Sequence, residues 1–221
     1  MIPDGISWHD LDRDARGRLR GLTKENAERV GEHLVMVGRL LDDDPERAYL
    51  HAQAAVRRAG RIDVVREAAA LAAYRTERYA EALREFRTVR RLNGSSEHLP
   101  MMADCERGMG RPERALDLAV SEEASTLSRA AAVELGVVTS GARLDLKEPE
   151  AALSVLDSLG QVPQALRERV SYARAAALEA LGRPGDAAAT LAPYVEDDDD
   201  VVVFDLEAEE PLTRSESGDD A

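Results

Sequence analysis

Apolar residues recur three and four positions apart almost from the start of the chain. Trp8, Leu11, Ala15, Leu19 and Leu22 keep that spacing, which places them along one side of a helix. Ser7 followed by Asp10 has the form of a capping box, so a short amphipathic helix is expected to open the fold. Thr23 stands as the cap of a longer helix whose stripe is Ala27, Val30, Leu34, Val37 and Leu41, ending at Asp42, Asp43 and Asp44. Asp44-Pro45 then reads as an N-cap followed by a first helical position. Beyond it the pattern predicts helices over about 46–59, 62–76, 78–92, 97–109, 112–122, 126–146, 149–159, 164–181 and 184–195. Gly60, Asn93-Gly94, Gly110 before Pro112, Pro149, Gly160 with Pro163, and Gly182 before Pro184 punctuate them, leaving no room for strands. Connections this short make consecutive helices antiparallel neighbours.

Four of the breaks lead into one recurring phrase. Glu77-Arg78-Tyr79-Ala80-Glu81-Ala82-Leu83, Gly110-Arg111-Pro112-Glu113-Arg114-Ala115-Leu116, Lys147-Glu148-Pro149-Glu150-Ala151-Ala152-Leu153 and Gly182-Arg183-Pro184-Gly185-Asp186-Ala187-Ala188 each carry a turn residue, a polar residue, a ring, and an Ala three later. The steps between Ala82, Ala115, Ala152 and Ala187 are 33, 37 and 35 residues. Small side chains are needed where two helices cross closely, with Phe86, Leu118, Leu156 and Leu191 expected to pack beside them.

With that phrase and a period near 34 residues, the chain resembles the tetratricopeptide repeat family, of bacterial type. Tyr49 suits the bulky first-helix position of the motif, whereas Gly136 and Ser171 depart from it. The resemblance implies an all-α, right-handed solenoid of about four antiparallel hairpins over residues 45–195, preceded by N-terminal capping helices over 1–44. Residues 196–221 are expected to form a disordered acidic tail. The family binds proteins or peptides in a groove lined by first helices, and on that basis Arg57, Arg58, Tyr74, Arg75, Arg107 and Tyr172 are the expected groove residues. Some members clamp a C-terminal carboxylate with Lys and Asn. Here no Asn lies between Asn26 and Asn93 and the only lysines are Lys24 and Lys147, which disfavours that mode.

Composition sharpens this picture. Only 4% of the residues are aromatic while Ala occurs 36 times, so the core must rely on small side chains at close range. Arg outnumbers Lys 27 to 2, consistent with a coding bias and therefore weak evidence for nucleic acid. The net charge is −14, of which −11 falls in residues 196–221. Residues 57–91 are the one basic stretch, with ten arginines against five acids. They suit either a solvated face or a ridge for phosphates, and the second option is the alternative function, a nucleic-acid or ribosome-associated binder. Within the tail, Val201, Val202, Val203 and Phe204 followed by Asp205 and Leu206 form an apolar run between acids. It reads as part of a solubilising tail or as a linear motif for a partner, a second contact or an internal competitor.

Catalytic and metal chemistry find no pattern to rest on. His9, His33, His51 and His98 lack ligand spacing, and Asp10-x-Asp12-x-Asp14 continues with Ala15 and Gly21 where a calcium loop needs Gly and Glu. Cys105 is the one cysteine, which fits a reducing compartment and a buried core thiol. No phosphate loop, dinucleotide fingerprint or serine elbow is present. The expectation is a cytoplasmic, cofactor-free, non-enzymatic scaffold for a protein or peptide partner. No apolar run reaches the roughly 20 residues of a membrane span.

Overall fold

The computed structural model describes residues 2–195. Among these residues there are eleven α-helices and no strand. The helices are α1 (Arg13–Arg18), α2 (Lys24–Leu40), α3 (Pro45–Ala59), α4 (Asp63–Arg75), α5 (Tyr79–Asn93), α6 (Leu99–Gly108), α7 (Pro112–Ala119), α8 (Arg129–Asp145), α9 (Pro149–Asp157), α10 (Arg167–Ala180) and α11 (Pro184–Leu191). Short 3-10 turns at Trp8–Asp10, Leu19–Gly21, Glu122–Thr126, Gln164–Leu166 and Ala192–Tyr194 fill the joints.

Packing follows chain order. The helices pair as α2 with α3, α4 with α5, α6 with α7, α8 with α9, and α10 with α11, and the second helix of each pair rests on the first helix of the next. There are thus five pairs where the sequence phrase suggested about four. Asp44-Pro45-Glu46-Arg47-Ala48 supplies the fifth phrase, its Ala48 lying 34 residues before Ala82. Ala48, Ala82, Ala115, Ala152 and Ala187 are all at most 1% exposed, so every second helix approaches its partner through an alanine. Phe86 and Leu156 are buried beside them, while Leu118 and Leu191 are partly buried against the same clusters.

The turn inside four of the pairs has one geometry. Glu77, Gly110, Lys147 and Gly182 have φ between 57° and 71°. The N–H after each reaches back five residues, as from Arg78 to the carbonyl of Ala73 and from Arg183 to that of Leu178. The N–H of the turn residue itself reaches back three, as from Gly110 to the carbonyl of Arg107, and the two hydrogen bonds together close one helix and aim the next back along it.

Polar contacts between neighbouring pairs repeat at the same period. The Tyr49 hydroxyl donates to Glu81 at 2.8 Å, 32 residues away. Arg78 forks onto Glu46, also 32 residues away. Further along, Arg90 donates to Glu123, 33 residues on, and Ser128 to Glu97 across 31. Such spacing is what a stack of similar units produces, since equivalent positions on adjacent units face one another.

The N-terminus departs from expectation. A single helix was expected over Trp8 to Leu22, and three short pieces stand there. Ser7 does form the capping box with Asp10, but Leu11 is extended (ψ 150°) and Asp12 starts α1 by accepting from the N–H groups of Asp14 and Ala15 at 2.8 Å. The Asp10 and Asp12 side chains each take up backbone N–H groups and divide the run. Thr23 precedes α2 without a side-chain cap bond. A Cβ on Gly31 would lie 2.5 Å from the Trp8 Cβ, so the glycine lets Trp8 seat on α2.

Candidate binding cleft

The first helices α4, α6, α8 and α10, with Leu41 just after α2, line a cleft of about 430 Å³. Its floor is apolar, from Leu71, Pro100, Met101 and Val138. Its rim is charged and mixed in sign, from Arg75, Glu97, Asp104, Glu134 and Arg169. Within α4, Leu71 and Arg75 are one turn apart and share the face toward the cleft, and the longer Arg75 side chain carries its charge out to the rim.

Asp104 organises the centre. Its Oδ2 accepts from the Tyr74 hydroxyl at 2.5 Å, and its Oδ1 accepts from Arg107 Nη1 at 2.9 Å. Burial, then the bond to Asp104, pushes the Tyr74 phenol well above its usual range, which keeps it a donor. Arg107 spans to the next first helix, with Nε donating to Asp145 Oδ2 at 2.9 Å. A Cβ on Gly141 would lie 2.6 Å from the Arg107 Cζ, so the glycine is what allows the guanidinium to lie flat on α8. At the far side Arg169 pairs with Glu134 at 2.7 Å, and Arg75 pairs with Asp42 at 3.0 Å. Arg75, Asp104, Glu134 and Arg169 of the rim are therefore paired, while Glu97 accepts from the Ser128 hydroxyl at 2.8 Å.

The structure divides the residues expected to line a groove. Tyr74 and Arg75 lie in the cleft. Arg107 borders a neighbouring hollow with Tyr79 and Asp145, held between two carboxylates rather than presented as a free cation. Tyr172 lies on α10, half exposed. Arg57 and Arg58 do not belong to a first helix: α3 is the second helix of the first pair, and Arg58 borders a surface hollow against Asn26 and Arg29 of α2. Asp104, Met101, Glu134 and Arg169 escaped the sequence reading. The signal available for Asp104 was its distance of 30 residues from Tyr74, one repeat less about one helical turn.

The basic stretch is partly absorbed by the fold. Arg66 pairs with Glu85, Arg75 with Asp42, Arg78 with Glu46, Arg87 with Glu106 and Arg90 with Glu123. Four of those acids come from outside residues 57–91. Among the described residues Arg57, Arg58, Arg61, Arg84 and Arg91 lie on the surface away from the cleft.

Histidines and the cysteine fall into structural places. His33 and His51 meet across α2 and α3 with their Nδ1 atoms 2.9 Å apart. His98 bonds to Glu67 at 2.9 Å and stacks on Phe86. His9 is exposed beside Trp8. Cys105 is fully buried, and burial, with Asp104 and Glu106 nearby, raises its thiol to about 12, which suppresses the reactive thiolate. Among the described residues no group of three or more His, Cys, Asp or Glu is placed to hold a metal ion, and no helix is long and apolar enough to cross a membrane. The run from Val201 to Leu206 lies outside the described residues. No protein-family model matches the chain, and no curated protein matches it.

Proposed function

We propose that the chain is a non-catalytic binding module, a tetratricopeptide-like solenoid that takes a segment of a partner protein in the cleft of its first helices. The observation that carries this reading is the cleft itself, an apolar floor bounded by charges of both signs and shared by successive helix pairs. Such a surface suits an extended or helical peptide with apolar anchors and polar flanks. No nucleophile, base and oxyanion donor converge in it.

The test is partner capture with the tagged chain and two variants. Met101→Arg puts charge on the floor at a half-buried site, and Arg57→Glu with Arg58→Glu reverses charge away from the cleft. Cleft binding predicts that Met101→Arg weakens the captured partner about tenfold or more while the α3 variant retains it. Equal retention by both variants, each verified as folded by circular dichroism, would sink the reading. Loss with the α3 variant alone would favour the basic surface and a nucleic-acid partner instead.

A further inference from the structure

The opening segment carries a second site, independent of the cleft and distinct from it in chemistry. Trp8, Arg13, Arg16 and Arg20 line a hollow of about 250 Å³ with no carboxylate among its lining residues. Arg16 is half-buried, and its Nε is shielded from water with no hydrogen-bond partner. Its Nη1 lies 3.4 Å from His9 Nδ1.

Acids are abundant in this segment, yet they are engaged elsewhere. Asp10 accepts from Arg39 at 3.1 Å and from the Ser7 N–H. Asp12 caps α1. Asp12 and Asp14, with Arg18, border a different hollow against α2 and α4, and Arg18 is paired there with Asp63. The short helix therefore separates its charges, with three arginines toward Trp8 and the acids with Arg18 toward the body of the fold. Among the described residues no carboxylate lines the hollow with these three arginines, and like charges grouped so repel one another and raise the free energy of the folded state, a cost that a bound anion would remove.

We propose that Trp8, Arg13, Arg16 and Arg20 form an oxyanion site for a phosphoryl group, borne by a small phosphate ester or by a phosphorylated side chain. A dianion fits the three guanidinium groups better than a single carboxylate, and each guanidinium presents a planar fork matched to phosphate oxygens. The indole of Trp8 supplies the flat apolar wall for whatever carries the phosphate.

Trp8 is the one tryptophan in the chain, so its fluorescence reports on this hollow directly. The full-length protein is titrated with inorganic phosphate, glycerol phosphate and a phosphoserine peptide, each against sodium chloride of matched ionic strength. A saturable change with the phosphates and none with chloride is expected, and the tighter of the last two ligands identifies the source. Arg13→Gln with Arg20→Gln, both at exposed positions, should weaken binding about tenfold or more, and Arg16→Gln should do the same. A response that follows ionic strength alone, or a double variant that titrates like the parent, overturns the site. Saturation by a synthetic peptide of residues 196–221 with none by phosphate also overturns it, because the hollow would then take carboxylates.

Discussion

His33 and His51 show how a pair of residues without any motif acquires a property from packing. Their Nδ1 atoms are 2.9 Å apart, so one ring donates and the other accepts, and the bond requires the accepting ring to be neutral. Burial first, then the neighbouring imidazole and the positive Arg29 and Arg58, lowers His33 from 6.5 to about 4. His51 is also lowered, mainly by burial. With the folded value below the unfolded one, the unfolded chain takes up a proton that the folded chain refuses as pH falls from 6.5 toward 4. Stability is therefore complete above that window and declines through it. Urea midpoints at about pH 7.5 and about pH 4.5 should differ more for the parent than for a His33→Gln, His51→Gln variant. Parallel pH profiles would refute the coupling. The sequence displayed both residues but not their meeting, since 18 positions of separation mean nothing until α2 folds back on α3.

At the scale of elements, the turns inside the helix pairs hold an uneven strain. Gly110 and Gly182 adopt the left-handed conformation freely, whereas Glu77 and Lys147 take it with φ of 57° and 64°. A side chain there costs roughly 1–2 kcal/mol, offset in part by the greater freedom that glycine has in the unfolded chain. Glu77→Gly and Lys147→Gly are each expected to stabilise by about 0.5–1 kcal/mol, seen as a higher melting temperature with an unchanged denaturant slope. Neither residue donates or accepts in the inter-pair contacts, so a drop in stability would mean that the turn geometry is not what limits these positions. The elements themselves were largely legible. Pro45, Pro112, Pro149 and Pro184 each sit at a first helical position and mark their helices within a residue or so. Expectation and structure part where Asp10 and Asp12 take up backbone N–H groups and divide one expected helix, and where Gln164–Leu166 forms a 3-10 turn before α10.

For the whole molecule, packing mainly between neighbours makes stability local. The α4 and α5 pair buries Val65, Ala69, Ala70, Ala72 and Ala73 against Ala82, Leu83, Phe86 and Val89. The last helix, α11, buries only Ala187. Backbone amides of 184–191 should exchange with solvent at least about tenfold faster than those of 82–89 in hydrogen–deuterium exchange. Uniform protection along the chain would show instead that the array opens as one cooperative block. By itself the sequence determined the helices, the alanine crossings and the unit length, because these depend on contacts within a few residues or on a repeated local phrase. The tertiary structure alone decided that α2 belongs to the first pair, that Asp104 stands between Tyr74 and Arg107, and that Arg13, Arg16 and Arg20 line one hollow with Trp8. Those relations join side chains across helices, and which faces meet depends on how each pair rotates onto the next, a quantity no local pattern encodes.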